Sequence, residues 1–120
     1  MSFRDRMGKA QKLLTDADLT AFFFVTLPEA LPIAVITRFI GWFHDFGIPV
    51  GGVIVNMLID RSQVTAESPE FVHNRVNMQA RYMEDIWEKF DGMVRSTIPL
   101  YETEVRGTTS LIRMGEALFA

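Results

Sequence analysis

The segment GIPVGGVIVN, residues 47–56, decides the fold of this 120-residue chain. It opens with Gly47 and Pro49, which are residues that end a helix, and continues as an apolar run at residues 50–55. A strand that is apolar on both faces is typical of a parallel sheet covered by helices on each side. Its two glycines suit a close approach of a neighbouring backbone or helix. We therefore predict a buried parallel strand that ends at Asn56.

The residues before this strand predict a helix, a strand and a second helix. Residues 1–14 have the spacing of an amphipathic helix, with Phe3, Met7, Ala10 and Leu14 on one face. The stretch TAFFFVTL, residues 20–27, is β-branched, aromatic and apolar on both faces, as expected of a second buried strand. Residues 31–46 have two apolar stripes at helical spacing, the first holding Ile33, Ile36, Ile40 and Phe43, the second Val35, Phe39, Trp42 and Phe46.

A long helix is predicted after a polar connector at residues 60–67. We interpret Ser68 and Pro69 as its N-cap and its first-turn proline. Its helical spacing predicts an inward stripe of Val72, Val76, Ala80, Met83, Trp87 and Phe90.

The remaining residues predict one more strand and one more helix. Residues 93–98 are predicted as the strand, residues 99–107 as a loop, and residues 108–119 as a helix with Leu111, Met114 and Leu118 inward. One helix followed by three strand-to-helix units predicts a parallel sheet with right-handed crossovers. We therefore expect a single α/β domain in three layers, a fragment of a doubly wound fold with about three parallel strands and four helices. Ligands of such sheets bind at the carboxyl ends of the strands.

Composition excludes several classes of protein. Hydrophobic residues make up 48% of the chain and charged residues 22%, which excludes a disordered chain. The net charge is −3 and the basic residues are scattered, so we expect no nucleic-acid partner. The absence of cysteine excludes disulfides and cysteine-bound zinc. The sequence has no apolar run of about 18 uncharged residues and does not begin like a signal peptide, so we expect a cytoplasmic protein without direct membrane insertion.

The sequence shows no self-sufficient active site. It contains no G-x-x-x-x-G-K-[ST] loop for phosphate, and its serines lack the flanking glycines of a nucleophile elbow. His44 and His73 lie about thirty residues apart on separate predicted helices, without a ligand cluster around them. Glu102 and Glu104 are close in sequence, which is more typical of a solvated loop than of acid/base catalysis. We expect no catalytic residue and no metal site.

Segments at the three predicted strand ends resemble one family. They are FVTLPEALPI at 24–33, GIPVGGVIVNMLI at 47–59 and IPLYETEVRG at 98–107. Together with the helical segment MQARYMEDIWEKF at 78–90, they are similar to the carboxyl-terminal part of the ArsA-type ATPases. That family comprises the arsenite-pump-driving ATPases and relatives that target tail-anchored membrane proteins. The resemblance implies that residues 1–120 form the carboxyl-terminal half of an ArsA-like domain with a P-loop NTPase-like fold, without its phosphate-binding loop.

The resemblance also implies which residues face a nucleotide. In the family, the segments after these strands surround the adenosine end of the bound nucleotide. They correspond here to Glu29, Asn56 and the run Pro99, Leu100, Tyr101, Glu102, Thr103, Glu104, Val105 and Arg106. An asparagine amide offers donors and an acceptor to the adenine edge, and proline and leucine offer the ring an apolar surface. From the residues alone, Asn56 is more ordinarily a strand-end turn residue, Pro99 a strand stop and Glu29 a helix-start carboxylate.

Two functions follow as hypotheses. The resemblance implies adenine-side contacts to ATP or ADP and no hydrolysis by this chain alone, because the phosphate loop, the catalytic aspartate and the switch regions belong to the family's amino-terminal half. The cysteine pair that holds an intersubunit zinc in some members has no counterpart here, so we expect no zinc. The alternative is a free-standing, non-catalytic interaction module that self-associates through the second apolar stripe of residues 31–46. The expected partner is accordingly an amino-terminal ATPase half or another copy of the chain.

Overall fold

The computed structural model of the protein describes residues 2–119. Its elements in chain order are helix α1 (Phe3–Leu14), strand β1 (Phe22–Thr26), helix α2 (Ala30–Asp45), strand β2 (Val50–Leu58), a short 3-10 helix (Arg61–Gln63), helix α3 (Glu70–Lys89), strand β3 (Val94–Pro99) and helix α4 (Gly107–Leu118). The predicted α/β class, with three parallel strands and four helices, is confirmed.

Strand β2 lies at the centre of a parallel sheet with the order β1-β2-β3. Its Ile54 pairs with Val25 of β1 and with Ser96 of β3, so these three side chains share one face of the sheet. Val53 and Val55 point to the other face, where both are fully buried. The predicted buried central strand is therefore confirmed.

The hydrophobic core lies between the sheet and the helices α2 and α3. Phe43 of α2 packs edge-on against the rings of Phe22 and Phe24, with centroid separations of 5.3 and 5.0 Å. The buried cluster consists of Ile33, Ile36, Val53, Val55, Ile86 and Phe90. The first apolar stripe of α2 thus faces the core as predicted, and the second stripe faces outward.

Helix α4 covers the opposite face of the sheet, but only over β3. The Ser96 hydroxyl of β3 donates a hydrogen bond to the Leu118 carbonyl of α4. Helices on both faces give the predicted three layers. The same face is open over β1, where Phe23 and Val25 are 53% and 58% exposed.

The predicted inward stripes of α3 and α4 are partly wrong. Trp87 and Leu111 were expected inward, but both are more than half exposed, while Gln79 and Ile86 of α3 are buried. The buried stripe of α3 advances by four and three residues in turn, which follows the helical repeat of 3.6. The predicted stripe contains Ala80 and Trp87, each one position after the buried Gln79 and Ile86, because only apolar side chains were counted as inward.

The predicted N-cap of α3 is also wrong. The N-cap position is held by Pro69, whose backbone is extended, and helical geometry begins at Glu70. The Ser68 hydroxyl accepts a hydrogen bond from the Thr65 N–H at 2.9 Å instead. Ser68 therefore closes the turn before the helix.

Helix α1 stands apart from the core. Ser2 and Asp5 form a reciprocal capping box at its start, with both hydrogen bonds at 3.3 Å. Met1, which the predicted helix included, lies outside the described residues. The helix buries no side chain, and Phe3 and Met7 of its apolar face are exposed. The radius of gyration is accordingly 17.9 Å, against about 14 Å for a compact domain of this length.

Gly52→Ala is expected to destabilise the fold by about 1–3 kcal/mol. Gly52 is buried with a φ of +153°, and a Cβ built there would lie 2.7 Å from the Met93 carbonyl oxygen. Chemical denaturation followed by circular dichroism measures the loss. Gly115→Ala in α4 is the control, because a Cβ there meets no atom within 4 Å beyond the neighbouring backbone of its own helix, and alanine favours a helix. A Gly52→Ala variant as stable as the control would show that the backbone does not need glycine there.

Candidate functional site

The carboxyl ends of the three strands form one rim of the sheet. Thr26 of β1 pairs with Val55 of β2, and Val55 pairs with Thr97 of β3. Neighbouring strands lie about 4.8 Å apart, so the segments that follow these positions are neighbours along the rim. The predicted site residues lie in these segments: Glu29, Asn56 and residues 99–106. The sheet topology thus places them along one edge.

Glu29 occupies the N-cap position of α2, and its carboxylate is held by α3. Its Oε1 accepts a hydrogen bond from the Arg75 guanidinium at 3.3 Å, with both side chains partly exposed. It makes no cap hydrogen bond to its own helix. Exposed ion pairs contribute only about 0–1 kcal/mol, so this contact orients the carboxylate more than it stabilises the fold.

Asn56 lies inside β2, two residues before the strand ends at Leu58, whereas the sequence predicted a strand that ends at Asn56. The strand continues through an irregularity, because its pairing with β3 shifts between Val55 and Leu58. The Asn56 Oδ1 accepts a hydrogen bond from the Met57 N–H at 2.9 Å, and Met57 has a φ of +56°. The side-chain hydrogen bonds within residues 2–119 do not use the Asn56 amide nitrogen, so its two N–H donors remain available there.

The loop after β3 is fastened to α4 by Arg113. The guanidinium of Arg113 lies 3.0 Å from the Glu102 carboxylate and stacks 4.5 Å from the centre of the Tyr101 ring. A hydrogen bond from its own backbone N–H, and then the Arg113 guanidinium, lower the pKa of Glu102. Glu102 is therefore a carboxylate at neutral pH. Within the described chain, the buried Tyr101 hydroxyl has no hydrogen-bond partner.

The other loop residues leave the rim open to solvent. The Leu100 N–H donates to the Leu58 carbonyl at 2.8 Å, which joins the loop to β2, and the Leu100 side chain is 53% exposed. Thr103, Glu104 and Arg106 are exposed, while Pro99 and Val105 are half-buried. Glu104 lies 3.7 Å from Arg106. Among the described residues no side-chain hydrogen bond joins Glu29, Asn56 and the loop. The side chains of the three segments therefore lie side by side along the rim without binding one another.

A groove of about 700 Å³ lies beside the rim, between α3 and the ends of β2 and β3. Its lining includes Pro99 but neither Glu29 nor Asn56. Asp60 stands at its border, where hydrogen bonds from the Ser62 hydroxyl, at 2.6 Å, and the Ser62 N–H lower its pKa. The groove and the predicted site therefore share only Pro99.

Gln79 is the residue at this rim that sequence reasoning missed. It is 8% exposed, and its amide binds the backbone at both Met57 and Ile59. The available signal was a polar side chain in the stripe of α3, between Val76 and Met83. A buried amide needs partners, so its position in the stripe predicts a hydrogen-bonded role.

The described residues provide little for a metal ion. His44 and His73 lie on α2 and α3 respectively. No group of three or more histidine, aspartate or glutamate side chains within residues 2–119 is arranged to hold one. In the same part of the chain, no helix is both long and apolar enough to cross a membrane.

Comparison with known proteins gives one family. The model of the family described as anion-transporting ATPase, ArsA_ATPase, matches residues 1–120. The putative arsenical pump-driving ATPase 1 of Aquifex aeolicus is 27% identical over 98% of this chain and 30% of its own length. ATPase get3 of Pyrenophora tritici-repentis is 31% identical over 98% of this chain and 34% of its own length. ATPase GET3C of Arabidopsis thaliana is 28% identical over 97% and 29% respectively. The chain spans about a third of the length of these curated relatives.

Proposed function

The chain belongs to the family of anion-transporting ATPases, and we propose that it supplies the adenine side of a nucleotide-binding site without hydrolysing ATP by itself. The observation that carries this proposal is the rim. Parallel pairing aligns Glu29, Asn56 and residues 99–106 along the edge at which sheets of this class bind ligands. We expect the chain to act in the cytoplasm.

The chemistry of the rim suits adenine. The Asn56 N–H donors can bind the acceptor nitrogens of the ring, and one lone pair of its Oδ1 remains beside the bond to Met57. Pro99 and Leu100 follow on the neighbouring strand and give the ring an apolar surface. The site therefore combines one amide that forms directional hydrogen bonds with an apolar surface for the ring.

The same rim suits phosphate poorly. The 120 residues contain no glycine-rich phosphate loop, and the groups beside the site include the carboxylates of Glu29, Glu102 and Glu104. Arg75, Arg113 and Arg106 each lie within 3.7 Å of one of these carboxylates, which offset their positive charge. The chain contains no cysteine, so the proposed site uses no cysteine-bound zinc. Recognition is accordingly centred on adenosine.

ATP, ADP and adenosine are expected to bind the 120-residue chain with similar dissociation constants of about 1 mM, because the phosphates add little. Amide chemical shifts in a nucleotide titration measure this, and Asn56 and residues 100–106 should move alike with all three ligands. Asn56→Ala should weaken binding roughly fivefold, the effect of about one hydrogen bond. Asn77→Ala removes an exposed amide from α3 and is the matched control. Shifts that cluster along α3 would place the ligand elsewhere.

The isolated chain is expected to release phosphate from ATP no faster than background. Catalysis of phosphoryl transfer consists almost entirely of positioning and neutralising the phosphates, and this chain offers no loop for that purpose. A steady-state phosphate-release assay tests it. Turnover that persists through purification and is lost in Asn56→Ala would contradict the proposed half-site.

A second candidate function is a non-catalytic module that self-associates, favoured by the outward stripe of α2. Its four large side chains are Val35, Phe39, Trp42 and Phe46, exposed by 42, 40, 48 and 75%. The rings of Phe39 and Trp42 pack edge-on at 5.2 Å and form one continuous apolar surface. Burying such side chains contributes about 1.5–3 kcal/mol each, enough to offset the cost of association.

If this stripe is the contact, the chain forms dimers or larger oligomers at micromolar concentration and Trp42→Asp dissociates them. Sedimentation equilibrium measures the mass of each species. Trp87→Asp is the matched control, since Trp87 of α3 is 52% exposed and lies on another helix. A wild-type chain that stays monomeric at high concentration contradicts self-association. An oligomer that dissociates only in Trp87→Asp would place the contact on α3.

A further inference from the structure

One buried amide stands in the apolar stripe of α3. Gln79 is 8% exposed and lies on the face that carries the buried Ile86. An amide withdrawn from water must form hydrogen bonds or it destabilises the fold. Its partners therefore explain why glutamine occupies this position.

Gln79 uses both ends of its amide on one short backbone segment. Its Oε1 accepts a hydrogen bond from the Ile59 N–H at 2.8 Å, and its Nε2 donates to the Met57 carbonyl at 3.0 Å. One side chain thus spans residues 57–59 at the carboxyl end of β2. We call this pair of hydrogen bonds the Gln79 clamp.

The clamped segment has an unfavourable backbone conformation. Met57 is the non-glycine residue with a positive φ, +56°, within the described part of the chain. Residues with a side chain adopt this left-handed conformation only where the surroundings enforce it. The Met57 side chain is 48% exposed, so core packing does not enforce it. The Gln79 clamp binds the Met57 carbonyl and the Ile59 N–H, and so acts directly on this segment.

The same three residues connect the parts of the proposed nucleotide site. The Met57 N–H donates to the Asn56 side chain at 2.9 Å, and the Leu58 carbonyl accepts from the Leu100 N–H at 2.8 Å. The backbone held by Gln79 therefore orients the Asn56 amide on one side and the start of the loop on the other.

We propose that Gln79 is a positioning residue for nucleotide binding: it holds Met57 in the left-handed conformation and thereby directs Asn56 and Leu100 to the adenine. The inference rests on the proposed function, although the clamp itself is a property of the chain without ligand. Gln79 acts through the backbone and does not touch the nucleotide.

The position requires a donor and an acceptor on one side chain of this length. Ionised glutamate would keep the acceptor for Ile59 but face the Met57 carbonyl with a second acceptor. Methionine matches glutamine in length and lacks both groups. Gln79→Glu therefore removes only the hydrogen bond to the Met57 carbonyl, whereas Gln79→Met removes both hydrogen bonds.

The first experiment measures the clamp without nucleotide in Gln79→Met and Gln79→Glu. In Gln79→Met the Ile59 amide should exchange with solvent about tenfold faster or more, and the Met57 backbone shifts should leave the left-handed range. Gln79→Glu should retain more of the Ile59 protection. Asn77→Leu, an exposed polar-to-apolar change on the same helix, should alter neither. A Met57 that stays left-handed in Gln79→Met overturns the proposal.

The second experiment measures adenosine binding by chemical shift in the same variants. Gln79→Met should weaken binding about three- to tenfold, the effect of about one hydrogen bond. Adding Met57→Gly to Gln79→Met should restore most of the affinity, because glycine adopts a positive φ without a steric penalty. A purely structural role for Gln79 predicts no such rescue. Loss of the left-handed conformation with unchanged affinity overturns the positioning role.

Met57→Ile keeps the proposal testable even if Gln79→Met does not fold. The substitution lies at a half-exposed position and leaves Gln79 in place, but a β-branched residue resists a positive φ. It should weaken adenosine binding as Gln79→Met does, and full affinity in this variant counts against the proposal. If the wild-type chain binds no adenosine, the proposed function fails, while the exchange and shift measurements still decide whether the clamp holds Met57.

Discussion

The pairing of β2 with a parallel strand on each side is the constraint on which the rest of the structure depends. Both crossovers run in the same direction across the sheet, so right-handed connections place α2 and α3 together over one face. That face buries Val53 and Val55 completely. Parallel pairing also aligns the strand ends, which is why segments separated by many residues in sequence meet along one rim. The core and the proposed site thus have a common cause.

The fold was largely predictable because its signals are local. Gly47 and Pro49 separate α2 from β2, and the apolar stripe of Ile33 and Ile36 fixes the buried side of α2. The wrong predictions concern polar side chains that can form hydrogen bonds with more than one partner. The Ser68 hydroxyl closes a turn with Thr65 instead of capping α3, and a hydrophobic pattern cannot represent Gln79, whose burial depends on backbone partners some twenty residues away. The amino-acid pattern therefore predicts where apolar surface goes more securely than where hydrogen bonds form.

For the candidate site too, the position of the segments was predictable from the sequence, but the hydrogen bonds of their side chains were not. Strand direction predicts that the segments beginning at Pro28, Asn56 and Pro99 share a rim, and the parallel pairing of the three strands is confirmed. The orientation of the side chains depends on contacts between distant parts of the chain. Glu29 is held by Arg75, 46 residues later, and no local spacing rule reaches that far. The family resemblance identified the segments, whereas the contacts of Arg75 with Glu29 and of Gln79 with the end of β2 arise only in the folded chain.

The open face over β1 has a thermodynamic consequence. The heat capacity change of unfolding arises mainly from apolar surface that becomes newly hydrated. Phe23 and Val25 are already more than half hydrated in the folded chain, as are several side chains of α1, so their contribution to that change is small. The heat capacity increment per residue should therefore fall below the usual value of about 12–15 cal/mol/K. The stability of this chain consequently follows a flatter curve with temperature than that of a compact domain of equal length.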